Sequence, residues 1–168
     1  MDWVYVRLPF ETPLREAIHR LKYDNKRYLA SELAAIAAPA LEPATAIDAV
    51  VAVPLHPARE AVRGYNQSDL IARALGKLLD RPVTPELLRR QRVTPPQTSL
   101  ARADRLQNVR GAFAAAPAAR GLRVLLVDDV LTTGATIDAC ARALRRARAQ
   151  WVGALVVAHQ PAEPRADP

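Results

Sequence analysis

Two adjacent carboxylates followed by a threonine-rich loop are the residues of this chain whose types and spacing could do chemistry. Asp128 and Asp129 come directly after the apolar run 124–127. The loop behind them consists of Thr132, Thr133, Gly134, Ala135 and Thr136. Two acids at a strand end can accept hydrogen bonds from vicinal hydroxyls or lie near a metal ion. Hydroxyls and amides at the start of a helix can cradle a phosphate, whose charge the helix dipole favours, and glycine permits its close approach.

Other interpretations of this segment fit less well. A purely structural alternative is an acidic strand end followed by a threonine-rich helix cap, and it would be enough to explain an isolated pair of acids. Here, however, an apolar strand, the threonine-rich loop and an amphipathic helix follow one another directly. A response-regulator receiver also has paired acids after an early strand, yet too few residues follow Asp129 to complete that domain. A P-loop requires Gly-Lys followed by Ser or Thr, whereas Gly76-Lys77 is followed by Leu78.

The surrounding elements predict how these residues are positioned. Buried strands are predicted over 47–53, 122–127 and 151–158, and short strands within 82–90 and near 112–114. Helices are predicted from Thr12 as N-cap, over 27–37, 66–79 and 136–148, and as a short helix over 102–109. Apolar strands separated by helices indicate a parallel sheet covered on both faces. Ligands of such sheets bind at the carboxyl ends of the strands, where the two acids fall.

Charge and composition narrow the classes of partner. The 168 residues carry a formal net charge of +7, and the pI is near 10.3. This balance suits phosphate-rich small molecules or nucleic acid, although a coding bias towards Arg and Ala would produce it too. Because no run approaches the ~20 apolar residues of a membrane span and no signal peptide is evident, the prediction is a cytoplasmic protein. The single cysteine, Cys140, excludes a cysteine-based zinc site and is predicted to lie in the core.

The segment 124–136 resembles the signature of type I phosphoribosyltransferases, which bind 5-phosphoribosyl-1-pyrophosphate (PRPP) together with Mg²⁺. The resemblance implies that Asp128 and Asp129 hold the ribose hydroxyls. It implies that the 5-phosphate is bound by Thr132, Thr133, Gly134, Ala135 and Thr136. The fold it implies is a parallel sheet flanked by helices with a small N-terminal hood. We expect a helical hood over 1–45, a phosphoribosyltransferase core over 46–160 and a disordered tail over 161–168.

Three further segments resemble the ComF family, the competence-associated branch of these proteins. They are Leu21-Lys22-Tyr23, the stretch Val-Pro-Leu-His from Val53 with Arg-Gly-Tyr-Asn-Gln from Arg63, and Arg92-Val93-Thr94-Pro95-Pro96-Gln97. The partners implied are PRPP, single-stranded DNA and competence or recombination proteins, with a homo-oligomer also open and no membrane insertion. Many ComF proteins begin with a cysteine-rich zinc region. This sequence starts where that region would end and has no cysteine there, so it is either a family member without the zinc region or a truncated sequence. The PRPP signature implies Mg²⁺ bound with PRPP, and the single cysteine and scattered histidines lead us to expect no zinc.

The remaining site residues are basic. Arg59 and Arg63, in the loop after the first core strand, are candidates for pyrophosphate contact because guanidinium groups match phosphate oxygens. Arg92 and Arg105 are candidate catalytic residues of a lid over 90–108 that would close on PRPP. Each could equally be a solvated surface arginine. His56 could contact ligand or be a packed loop histidine. Asn66 and Gln67 could contact ligand or cap the helix they precede, and Lys22 has no assigned role.

Three functions remain open on this basis. The chain could be an enzyme that displaces pyrophosphate from PRPP, for example a nucleobase-salvage enzyme. It could be a module that senses PRPP without transferring its ribosyl group, or an oligomeric scaffold that retains the motif. The ComF resemblance favours a role in natural competence and DNA uptake over salvage.

Overall fold

The computed structural model describes residues 1–42, 45–92, 109 and 111–160. In this part of the chain the strands are β1 (Trp3–Pro9), β2 (Ala49–Ala52), β3 (Leu88–Arg90), β4 (Phe113–Ala115), β5 (Arg123–Leu131) and β6 (Trp151–His159). The α-helices are α1 (Leu14–Tyr23), α2 (Leu29–Ala37), α3 (Pro57–Arg63), α4 (Gln67–Leu79) and α5 (Ala135–Arg146). The predicted helix over 102–109 lies almost wholly outside the described residues, as does the predicted tail over 161–168.

The main sheet is parallel and has the strand order β1-β6-β5-β2. Its central strands are the apolar runs that the sequence predicted. Val124 and Leu126 face one side, Leu125 and Val127 face the other, and all four are 0–1% exposed. A strand buried on both faces needs such a continuous apolar run, which confirms the predicted parallel α/β sheet.

Helices cover both faces of this sheet. On one face α5 packs through Ile137, Cys140 and Leu144, together with the antiparallel pair β3–β4. On the other face α1, α2 and α4 pack against β5 and β6. Cys140 is fully buried, as predicted. The two layers hold the strands rigidly, so the residues at their carboxyl ends keep a fixed geometry.

The N-terminal region contains a strand that the sequence analysis did not predict. Residues 3–9 form β1, which pairs in parallel with β6 and extends the main sheet, for example with Tyr5 opposite Leu155. The helices α1 and α2 pack into the same apolar core as α4. The strand was not recognised because it lies at the sheet edge and is largely exposed, with Trp3 61% exposed, and therefore lacks a buried apolar run.

Two element ends also differ from the prediction in ways that affect the site. Strand β5 continues past 127 to Leu131, because Val130 and Leu131 still pair with β6. The acids therefore lie within the part of β5 that pairs with β6, and Asp128 lies opposite Val156. Helix α1 begins at Leu14 with Pro13 in the cap position and no side-chain cap, so Thr12 is not its N-cap.

Candidate ligand site at the carboxyl edge of the sheet

A cavity of about 390 Å³ opens where β2 and β5 end. The end of α1, helix α3 and the first turns of α4 and α5 surround it. The acid pair, every residue of the Thr132–Thr136 loop, Arg59 and Arg63 line this one cavity. The structure thus brings together the residues that the sequence analysis assigned to the ribose, the phosphate and the pyrophosphate.

The two carboxylates have different partners. Asp128 Oδ1 accepts hydrogen bonds from Ser68 Oγ at 2.8 Å and from the Asp129 amide at 3.0 Å. Asp129 is only 4% exposed, and its Oδ1 accepts a hydrogen bond from the Val130 amide at 2.8 Å. The second oxygen of Asp129, Oδ2, lies 2.6 Å from Lys22 Nζ. The pair is therefore fixed by its own backbone on one side and by α1 and α4 on the other.

Burial and, after it, the negative charge of Asp129 raise the pKa of the Asp128 carboxyl to about 7, against the hydrogen bonds from Ser68 and the Asp129 amide, which lower it. Adjacent buried acids cannot both ionise without cost. Near neutral pH the Asp128 carboxyl is therefore a mixture of its neutral and ionised forms. A ligand hydroxyl or cation that binds the ionised form draws a proton off this residue.

This raised pKa predicts how stability depends on pH. Because Asp128 holds its proton more tightly in the folded than in the unfolded chain, the free energy of unfolding should fall as the pH rises from about 4 to about 7 and then level off. One such group contributes at most about 1.4 kcal/mol per pH unit. Urea unfolding between about pH 5 and pH 8, compared with Asp128→Asn, isolates this contribution. A difference between the two proteins that does not change with pH would contradict it.

The loop 132–136 has the geometry of a helix-terminal anion site. Gly134 caps α5 in the left-handed conformation, with φ of 74°. The Ala135 amide donates to Thr133 Oγ1 at 3.4 Å, which is too long for a strong hydrogen bond. This amide is therefore available to donate to a better acceptor, such as a phosphate oxygen. A Cβ at Gly134 would lie 3.6 Å from Leu131 Cδ1, which is ordinary contact. The positive φ, and not crowding inside the protein, is what requires glycine here.

Basic side chains outnumber acids around the cavity. Those that line it are Lys22, Arg59, Arg63 and Arg90, against Asp128 and Asp129. Arg63 donates to Gln67 Oε1, and its guanidinium lies 5.3 Å from the centre of the Tyr23 ring. Such a cavity attracts a polyanion such as a pyrophosphate more than a single phosphate or a neutral molecule.

Of the remaining candidates, Arg92 does not line the cavity, and Asn66 and His56 cap helices. Arg92 is exposed and does not line the cavity, and Arg105 lies outside the described residues. Asn66 caps α4 by accepting a hydrogen bond from the Ser68 amide at 3.0 Å. His56 caps α3 through Nδ1, which accepts from the Ala58 amide at 3.2 Å, while the ring also lines the cavity.

Sequence reasoning missed Ser68 and Arg90 as site residues and left Lys22 without a role. Ser68 is two residues beyond the helix cap Asn66, and this position was the signal that could have placed it at the site. Arg90 sits over the Phe113 ring at 5.4 Å, and burial lowers its pKa. Whether Arg90 lines the cavity depends on which face of β3 points towards the site, and the sequence of this three-residue strand does not show that.

The donor set fits PRPP with Mg²⁺. Two carboxylates suit the vicinal hydroxyls of a ribose, and the amides and hydroxyls of the loop suit its 5-phosphate. Lys22, Arg59 and Arg63 suit the pyrophosphate. Sheet, acid pair and loop together are those of the type I phosphoribosyltransferase fold.

Comparisons with known proteins agree with this class. The phosphoribosyl transferase domain matches residues 61–167. Competence protein F of Haemophilus influenzae is 35% identical over 143 residues, which cover 80% of this chain and 62% of that protein. The DNA utilization protein YhgH of Escherichia coli is 33% identical over 143 residues, 82% of this chain and 63% of that protein. The chain belongs to the phosphoribosyl transferase domain family, in its ComF branch.

A solved structure shows the same fold. Glutamine PRPP amidotransferase from B. subtilis, complexed with ADP and GMP, has a TM-score of 0.50 and 25% identity and covers 84% of this chain and 27% of its own. The chain thus spans slightly under two thirds of the length of these two relatives and about a quarter of the length of the amidotransferase.

Two properties of the described residues bear on membranes and metals. None of the described helices combines the length and apolarity that crossing a bilayer requires. Among the described residues, there is also no group of three or more His, Cys, Asp or Glu side chains that could hold a metal ion. From the single cysteine and the scattered histidines of the sequence, we predict that the purified protein carries no stoichiometric zinc. Elemental analysis tests this, and one zinc per chain would contradict it.

Proposed function

We propose that this protein binds PRPP with Mg²⁺ at the cavity on the carboxyl edge of its sheet. The observation that carries the proposal is the joint placement of the Asp128–Asp129 pair and the left-handed Gly134 loop in one cavity that is rich in basic residues. The ribose hydroxyls donate to the acids, the loop amides donate to the 5-phosphate, and Arg59 and Arg63 face the pyrophosphate. When bound with PRPP, Mg²⁺ supplies charge neutralisation for the pyrophosphate as a leaving group.

Direct binding tests this proposal. Isothermal titration calorimetry with PRPP and Mg²⁺ should give saturable binding. Ribose 5-phosphate lacks the pyrophosphate but retains the hydroxyls and 5-phosphate, so it should bind more weakly. Equal affinity for both ligands would remove Arg59 and Arg63 from the proposed site, and the absence of binding to either would contradict the proposal.

The biological role that we propose is in DNA uptake or its recombination steps. In support, the names of the two relatives refer to competence and to DNA utilization. Two measurements separate this role from nucleobase salvage. One is pyrophosphate release with PRPP and free nucleobases, and the other is natural transformation in a strain that lacks the gene. Lost transformation without nucleobase turnover supports the competence role. Robust turnover with normal transformation makes the protein a salvage enzyme.

Direct contact with single-stranded DNA would be mainly electrostatic, since the net charge is +7. Its affinity should then fall steeply between ~50 and ~200 mM salt. The exposed Arg89 and Arg92 are the first residues to neutralise. Arg90 lies between them in the sequence but is unsuited to this test, because it lines the ligand cavity. Fluorescence anisotropy against salt measures the effect, and salt-independent binding would contradict it.

A further inference from the structure

The ion pair between Lys22 and Asp129 joins two distant parts of the chain inside the site. Lys22 lies in the last turn of α1, and its Nζ is 2.6 Å from Asp129 Oδ2. The side chains are only 20% and 6% exposed. Asp129 Oδ1 is already engaged by the Val130 amide, so the ammonium lies on the oxygen that faces away from the backbone. This is also the oxygen that a ligand hydroxyl or a metal ion would have to approach.

The position of Lys22 is held by the core. Leu14, Ile18 and Leu21 of α1 are buried, and the Tyr65 hydroxyl donates a hydrogen bond to the Leu21 carbonyl, next to Lys22 in the chain. The backbone that carries the ammonium is thus anchored from two sides. A lysine side chain has enough rotatable bonds to swing its ammonium by several ångströms while its backbone stays in place.

The charges of the cavity disfavour a metal ion that arrives alone. Four basic side chains surround two acids, and one of these four, Lys22, already neutralises Asp129. A divalent cation at Asp129 would have to displace the ammonium in a cavity that Arg59 and Arg63 also line. A metal ion that is already bound to a pyrophosphate brings its own negative charge, which gives the displaced ammonium a new partner.

We propose that Lys22 is a positioning residue. It prevents divalent cations from binding to Asp129 on their own, and it leaves Asp129 accessible when a metal-bound polyanion enters. In the ligand-free protein its ammonium takes the place of a cation on Asp129. When the ligand enters, the ammonium moves to a phosphate oxygen and Asp129 Oδ2 accepts a ribose hydroxyl. Metal and ligand therefore bind together. The identity of the polyanion rests on the proposed function, whereas the closure to lone cations does not.

Binding of Mn²⁺ alone, followed by electron paramagnetic resonance, tests the closure without PRPP. The wild-type protein should bind Mn²⁺ weakly. Lys22→Gln removes the charge but keeps a donor near Asp129, and it should bind Mn²⁺ at least about tenfold more tightly, which is the effect of removing one adjacent positive charge. Lys22→Arg should behave as the wild type. The matched control is Lys77→Gln, an exposed lysine on α4, which should change nothing.

Titration of the same variants with PRPP and Mg²⁺ tests the transfer of the ammonium. Lys22→Gln should weaken PRPP binding about tenfold, as expected for the loss of one charged partner of a phosphate. The two affinities thus change in opposite directions, which a merely structural role of Lys22 would not produce, and thermal melts check that each variant is folded. Unchanged Mn²⁺ affinity in Lys22→Gln overturns the proposal. If the wild-type protein fails to bind PRPP, the proposed function fails, while the Mn²⁺ titration still decides the role of Lys22.

Discussion

Replacing both Asp128 and Asp129 with asparagine is expected to abolish PRPP binding while leaving the fold intact. Each charged hydrogen bond to a ribose hydroxyl contributes about 1.5–3 kcal/mol, so losing both should weaken binding by about 10²–10⁴-fold. Asparagine retains a side-chain oxygen in both positions. At 128 it can accept from the Ser68 hydroxyl and the backbone amide of residue 129, and at 129 it can accept from the Val130 amide, as the carboxylates do now. The change also removes the repulsion between two adjacent acids, which compensates for the loss of the ion pair with Lys22.

The measurement is calorimetric titration beside a thermal melt. Asp138→Asn is the matched control, because Asp138 lies on the exposed side of α5 and its only charged partner in the described residues is Arg142. This variant should bind PRPP normally. Normal affinity in the double variant would show that the acids are not part of the ligand site.

Substituting valine for Gly134 is the second change for which we expect a large effect. The φ of 74° is strained for any residue with a Cβ and most of all for a β-branched one. The loop should relax towards negative φ and turn its amides away from the phosphate. With one or two charge-assisted hydrogen bonds lost, PRPP binding should weaken by about 10- to 10⁴-fold.

Gly121 offers a matched control for this variant. Its φ is 77°, close to that of Gly134, and a Cβ there would meet no atom within 4 Å. It precedes β5 at the amino edge of the sheet, away from the cavity. Gly121→Val should therefore lower the melting temperature by a similar amount but leave PRPP affinity unchanged. Equal binding by both variants would mean that the loop does not hold the phosphate.

The sequence by itself determined the centre of the fold and the core of the candidate site. Apolar runs predict the buried strands β2, β5 and β6 because a strand covered on both faces must be apolar at every position. The acids and the loop 132–136 are contiguous, so one strand-to-helix connection fixes their relative placement whatever the rest of the chain does. For the same reason, the resemblance of this segment to type I phosphoribosyltransferases was specific.

Only the tertiary structure decided which distant residues complete the site. Ser68 reaches Asp128 and Lys22 reaches Asp129 because α4 and α1 both pack on the same face of the sheet. No spacing in the sequence encodes these contacts. The edge strand β1 escaped prediction for a related reason, since pairing with β6 stabilises it in place of an apolar pattern of its own. Local patterns record what a segment must bury, whereas the partners of a polar side chain are set by how separate segments pack.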